Sequence, residues 1–298
     1  QAMVATGKGI LAMDESVGTM GKRLESIGVR NTVRARTAYR DAVLGTEGLE
    51  AFISGAILFE ETLADSRRPR VAASLERRGI LPGIKVDRGT HPLAGCEGEV
   101  VTEGLDGLAE RLGTYAKLGA RFAKWRAVIT IDRDRLPSSS CLDANVHALA
   151  RYARLCQDAG LVPMVEPEVL MDGTHDAARC ELVTEATLRA VFAALYQHRV
   201  HLEGIVLKTS MVLAGSKRRR GTSPAEVAER TIRCMRRSVP AAVPGIVFLS
   251  GGQAPVEATE NLNAMNLTAD HPWTLSFSYG RALQEPCLLY TSDAADEE

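Results

Sequence analysis

Phe122-Ala123-Lys124-Trp125-Arg126-Ala127-Val128 is a short apolar run carrying two cations at alternate positions. Alternate residues of a strand share a face, so Lys124 and Arg126 project together from what should otherwise be a buried element. Before it, Leu105, Leu108, Leu112, Tyr115 and Leu118 recur at steps of three or four, the apolar stripe of a helix lying on a sheet. Strand, charge and flanking helix then repeat along the chain. Further runs span Gly9 to Asp14, Ile53 to Leu58, Gly83 to Asp87, Val162 to Glu168, Gly204 to Lys208, Gly245 to Ser250 and Thr274 to Ser278. Ser223-Pro224-Ala225-Glu226 combines an N-cap, a proline at the first helical position and a capping-box glutamate, and predicts another helix start.

Eight strands separated by helices predict a parallel sheet, and eight is the number that closes a (β/α)8 TIM barrel. An open doubly wound sheet would carry a glycine-rich phosphate turn after its first strand, and Ala12-Met13-Asp14-Glu15-Ser16 has none. The 298 residues suit one barrel domain, expected over residues 1–285. Apolar residues make up 45% and charged residues 24%, as in ordinary globular proteins, and no apolar run approaches the roughly 20 residues that span a bilayer. No membrane partner is expected. A net charge of -1 gives no global attraction to polyanions. The one dense basic run, Lys217 to Arg220, precedes Gly221, Thr222, Ser223 and Pro224 and reads as a solvated loop, so no nucleic-acid partner is expected either. The six cysteines are scattered without a C-x-x-C pair, which fits reduced thiols. Position 1 is Gln, so the lack of a targeting peptide excludes no compartment.

Charge inside strands is the feature that points to chemistry. Lys85 with Asp87, Lys124 with Arg126, Glu166 with Glu168, and Lys208 lie within or at the ends of runs that a barrel would bury. An unpaired buried charge costs several kcal/mol or more, so these groups must meet one another or a ligand, and the C-terminal mouth of a barrel is where they converge. Four cations (Lys85, Lys124, Arg126, Lys208) face three anions (Asp14, Glu166, Glu168). Lys22, Arg23 and Arg281 widen the excess, which suits a phosphorylated substrate. Asp14 taken alone is equally readable as the N-cap of the helix containing Lys22 and Leu24. A lysine attacks a carbonyl only as the neutral amine, about 0.04% of the total at pH 7 for an ordinary pKa near 10.4. Lys208 follows the most apolar run, Gly204-Ile205-Val206-Leu207, and repulsion from Lys124 and Arg126 is expected to favour its neutral form. Ser250-Gly251-Gly252 after the seventh strand and Ser278-Tyr279-Gly280-Arg281 after the eighth occupy the positions where barrels hold phosphate.

With these residues in hand, the chain resembles the class I fructose-bisphosphate aldolases over roughly residues 5–285. Gly7-Lys8-Gly9-Ile10-Leu11-Ala12 with Asp14-Glu15-Ser16, then Gly83-Ile84-Lys85-Val86-Asp87 and Phe122-Ala123-Lys124-Trp125-Arg126, follow in the family order. Val165-Glu166-Pro167-Glu168, Leu207-Lys208, Leu249-Ser250-Gly251-Gly252-Gln253 and Phe277-Ser278-Tyr279-Gly280-Arg281 complete the series. The resemblance implies a glycolytic lyase that cleaves fructose 1,6-bisphosphate without a metal or other cofactor. It makes Lys208 the Schiff-base residue, Glu166 the general acid and base with Glu168 and Lys124 beside it, and Asp14 the group at the hydroxyl deprotonated during cleavage. Ser250, Gly251, Gly252, Ser278, Gly280 and Arg281 would hold one phosphate, and Ser16, Arg23 and Lys85, with Arg126 as a further substrate contact, lie towards the other. A homotetramer in the cytoplasm is implied, with a plastid as the alternative. The six histidines mostly lie outside the charged strand ends, in keeping with metal-independent chemistry.

Two departures stand out. Glu60 occupies a position where many relatives have histidine, and Thr209-Ser210 replaces a common Pro-Asn. The final stretch, residues 286–298, breaks from the family pattern and reads as a non-native tail in place of the last barrel helix. A single-phosphate Schiff-base barrel and a non-catalytic scaffold are the rival readings, and two phosphate-holding regions with every acid and base retained argue against both.

Overall fold

The computed structural model describes residues 1–65, 71–132, 135–218, 222–268, 271–285 and 288. Eight strands, β1 (Gly9–Met13), β2 (Ile53–Leu58), β3 (Leu81–Lys85), β4 (Phe122–Ile129), β5 (Val162–Val169), β6 (Val206–Thr209), β7 (Gly245–Phe248) and β8 (Thr274–Tyr279), close into a barrel in which each pairs with its sequence neighbours and β8 returns to β1. Every pairing in the ring is parallel. A helix must therefore return the chain after each strand, and the described connections carry them, among them Leu108–Lys117, Ser139–Asp158, Ala177–Gln197, Pro224–Ser238 and Pro255–Leu267.

The inward register explains how one barrel holds both a core and a charged site. Ile10, Phe122, Met164, Val206 and Val247 fill its lower half, and Met3 and Val4 of the N-terminal turn close the bottom. Two or four residues further up the same faces come Asp14, Lys124, Glu166 and Lys208. The larger apolar cluster lies outside, between strands and helices, where Trp125, Tyr152 and Leu207 are fully buried. Gly83 is needed inside because a Cβ there would lie 2.1 Å from the Phe122 ring.

Some local expectations shift. The stripe from Leu105 to Leu118 becomes the helix Leu108–Lys117, with Leu105 packed ahead of it. Ser223 does cap Pro224–Ser238, accepting from the Glu226 amide. Asp14 caps nothing; the N-cap of Val17–Glu25 is Ser16, whose Oγ accepts from the Thr19 amide, so Asp14 is left for the barrel interior. An antiparallel pair, Thr90–Pro92 with Val100–Thr102, lies between β3 and β4 and went unread because each strand is only three residues long. Lys217 and Arg218 of the basic run are exposed, while Arg219, Arg220 and Gly221 lie outside the described residues. So do all of 286–298 except Leu288, and with them most of the stretch read as a tail. Residues 281–285 after β8 are helical, and Gln284 is 1% exposed.

Candidate active site

A cavity of about 450 Å³ opens at the C-terminal ends of the strands. Of the fifteen residues named from the sequence, fourteen line it: Asp14, Ser16, Arg23, Lys85, Lys124, Arg126, Glu166, Glu168, Lys208, Ser250, Gly251, Ser278, Gly280 and Arg281. Gly252 is not among the lining residues. Its φ of +72° and a Cβ position 2.9 Å from Met171 make it the residue that lets the chain turn, which only glycine does without strain.

At the floor, Glu166 sits between two lysines. Its Oε1 is 3.1 Å from Lys208 Nζ, and its Oε2 is 3.3 Å from Lys124 Nζ without hydrogen-bond alignment. Lys124 Nζ also pairs with Asp14 Oδ2 at 2.6 Å. All four side chains are almost fully enclosed, Asp14 being the most open at 12%. Burial pulls the Lys124 ammonium down, but Asp14 and Glu166, with Asp87, outweigh it and hold its pKa above the ordinary value. The carboxylates mirror this. Burial pushes Asp14 and Glu166 up, Lys124 and Lys208 more than offset it, and both end below the usual carboxylate range. The sequence reading set bare cations around Lys208, whereas in the structure a carboxylate stands between the two lysines, within reach of the Lys208 proton.

Around this floor further charges pair, either between neighbouring strands or at the end of one strand. Arg126 Nε donates to Glu168, which with Glu166 and Asp87 overcomes burial and raises the arginine further. Lys85 Nζ bonds Asp87 Oδ1 at 2.5 Å and the Asp87 carbonyl at 2.8 Å. Asp87 in turn accepts from the Gly89 amide at 3.2 Å and the Arg126 amide at 3.3 Å, so it organises the rim between β3 and β4. On the far side, Ser278 Oγ is buried with no protein partner, and Gly280 lies where a Cβ would meet the Ala12 carbonyl at 3.1 Å. Arg281 is exposed at the edge.

Sequence reasoning assigned no role to Glu15, Thr19, Asp87, Gly89 or Thr90, all of which line the cavity. Asp87 was visible as a strand-end charge. Glu15 was quoted only as part of a motif, yet it is 9% exposed and accepts from Arg23 Nη1 at 2.5 Å. Of the two departures, Glu60 accepts from Tyr115 at 2.8 Å and Ser210 Oγ donates to the Val169 carbonyl at 2.8 Å, while the buried Thr209 Oγ1 has no hydrogen-bond partner among the described residues. Among the described residues no group of three or more His, Cys, Asp or Glu is arranged to hold a metal ion. No described helix is long and apolar enough to cross a membrane.

A closed parallel barrel with two lysines and two carboxylates enclosed in its mouth, and Arg23, Lys85, Arg126 and Arg281 around them, defines a barrel enzyme for an anionic substrate. The comparisons with known proteins make this particular. Residues 1–295 match the family model of class-I fructose-bisphosphate aldolase. A probable fructose-bisphosphate aldolase class 1 of Xylella fastidiosa is 58% identical over 296 residues, covering 98% of this chain and 88% of the relative. The cytosolic fructose-bisphosphate aldolase 6 of Arabidopsis thaliana is 54% identical, covering 95% and 79%. The solved Plasmodium falciparum fructose-bisphosphate aldolase, in complex with TRAP and an inhibitor, superposes with a TM-score of 0.94 at 49% identity over 98% of this chain and 85% of that one. The chain belongs to the class I fructose-bisphosphate aldolase family, and with it to the metal-independent lyases.

Proposed function

We propose that the chain cleaves fructose 1,6-bisphosphate reversibly to dihydroxyacetone phosphate and glyceraldehyde 3-phosphate through an imine on Lys208. The observation that carries this reading is the enclosed Lys208 amine, 3.1 Å from Glu166, at the floor of a cavity that Arg23, Lys85, Arg126 and Arg281 line. The amine attacks the C2 ketone. Glu166 shuttles the protons that turn the carbinolamine into a protonated imine and water. Asp14 takes the proton of the C4 hydroxyl as the C3–C4 bond breaks, and the bond's electrons flow into the imine to leave an enamine, which is protonated at C3 and hydrolysed. Lys124 holds Asp14 and Glu166 ionised, and Glu168 holds Arg126.

Ser250, Gly251, Ser278, Gly280 and Arg281 bind the phosphate nearer the ketone, where the unpartnered Ser278 hydroxyl offers a donor, and Gly252 only turns the chain behind them. Ser16, Arg23 and Lys85 face the C6 phosphate, and Arg126 lies between. The protein works as a homotetramer in the cytoplasm, a compartment the Arabidopsis relative's name supports. The test is borohydride reduction with dihydroxyacetone phosphate followed by peptide mapping. The label is expected on Lys208; a label on Lys85 or Lys124 instead would overturn the assignment.

A further inference from the structure

We infer that Gln284 is a positioning residue that sets the distance between the two phosphate-holding sides of the mouth, and so favours a bisphosphate over a monophosphate. This rests on the reading of the two sides given above. Gln284 belongs to the short helical stretch after β8, three residues on from Arg281, and its amide nitrogen bonds back to the Gly280 carbonyl at 3.1 Å. Its side chain reaches from the stretch after β8 to the end of the neighbouring strand β1, beyond the Ile10–Ser278 and Leu11–Tyr279 pairing. Nε2 donates to the Ala12 carbonyl of β1 at 2.7 Å and to Glu15 Oε1 at 2.9 Å, while Oε1 accepts from Tyr39 at 2.9 Å. Both amide hydrogens and the carbonyl are thus used. Turning the group over would set its oxygen against two acceptors and its NH2 against a donor, so only one orientation satisfies the site.

The same Glu15 oxygen accepts from Arg23 at 2.5 Å. Arg40, which is 1% exposed, donates to the Glu15 carbonyl at 3.0 Å and fixes the backbone beneath it. Gln284 therefore joins the stretch bearing Arg281 to the carboxylate that holds Arg23. Gln284 lines no part of the cavity itself. A substrate with phosphates at both ends has a fixed span, and any drift between Arg281 and Arg23 forces one phosphate out of register. A substrate phosphorylated only at C1 never reaches Arg23 and does not sense that drift.

The test compares kcat/KM for fructose 1,6-bisphosphate and fructose 1-phosphate in the unmodified protein, Gln284→Leu and Tyr39→Phe. Gln284→Leu is expected to lose about tenfold on the bisphosphate, mostly through KM, and less than twofold on the monophosphate. Tyr39→Phe removes the hydroxyl that orients the amide and should lose about two- to threefold, again on the bisphosphate alone; it serves if the leucine variant does not fold. Equal losses on both substrates, or no loss on either, overturn the inference. Borohydride trapping on Lys208 in each variant separates the outcomes: a trapped lysine with unselective loss condemns the role of Gln284, whereas an unmodified protein that neither traps nor prefers the bisphosphate condemns the reading beneath it.

Discussion

Glu181 and Glu166 are both carboxylates shared between two cations, one on the outer face of the barrel and one inside it. Glu181, on the helix Ala177–Gln197, accepts from Arg233 Nε at 2.7 Å, Arg233 Nη2 at 2.8 Å and Arg230 Nη1 at 3.1 Å, with both arginines on Pro224–Ser238. Those arginines are 28% and 35% exposed and bond again to Glu226 and Glu229. The hydrogen bonds to Arg233 outweigh burial and hold Glu181 below the usual carboxylate range. Glu166 is held down too, but by two lysines in an enclosed space with a cavity beside them. The outer cluster is closed upon itself and ties two helices; the inner one leaves groups free to address a ligand. Charge pairing alone does not mark a site, and the adjoining space does.

The sharpest way to break that contrast is to empty the inner cluster. Lys208→Ala should abolish both turnover and borohydride labelling, since Lys124, the other buried lysine beside Glu166, is tied to Asp14 at 2.6 Å. Turnover persisting within about tenfold of the unmodified protein would remove the lysine from the chemistry. Glu166→Gln should lower kcat by about 10²- to 10⁴-fold with KM little changed, because proton transfer is lost while the rim is intact. Arg281→Ala should act in reverse and raise KM. Steady-state kinetics on both separates the roles, and equal effects on affinity would merge them. Glu181→Gln should leave kcat and KM where they are and lower Tm by about 2–4 °C, the scale of roughly 1 kcal/mol in a chain of this size. A loss of activity there without loss of stability would mean that the outer cluster communicates with the mouth.

The inner cluster was legible because strand parity is a strong rule. Once Phe122, Lys124 and Arg126 are placed on one face, the change from apolar to charged along that face marks where the core ends and the mouth begins. The same parity in β5 sets Met164, Glu166 and Glu168 together. Glu15 escaped it because it follows β1 and acts through partners that no local pattern predicts: Gln284 is 269 positions away. The capping role of Ser16, which also lines the cavity, does not stand out in the sequence, because Asp and Ser two residues apart satisfy the same capping rule. The antiparallel pair at Thr90–Pro92 offered too few residues for any period to show. Glu181 shows the converse: with its arginines more than 40 positions away, its cluster was invisible, and missing it cost the functional reading nothing.

The finest test sets Glu15 against Glu181 through the sign of their pH dependence. Burial is the largest influence on Glu15; Arg23 opposes it, Asp14 reinforces it, and the carboxyl ends above its ordinary value, with Oε2 left without a partner. A carboxyl raised on folding is penalised when charged, so the folded state loses stability as pH rises from the ordinary glutamate range, near 4.3, through the higher folded value. Glu15→Gln keeps an acceptor for Arg23 and Gln284 and removes the charge. It should melt like the unmodified protein below about pH 4 and gain on it by on the order of 2 °C near neutrality. Glu181 is lowered on folding, so its contribution is present above the ordinary range and lost as pH falls through its folded value. The deficit of Glu181→Gln should therefore be largest near neutrality and shrink in acid. Taking each variant against the unmodified protein at the same pH cancels the other titrating groups, provided the sites are independent. If Glu15→Gln instead falls behind as pH rises, the Arg23 ion pair outweighs burial, and Glu15 is a pairing group of the same kind as Glu181.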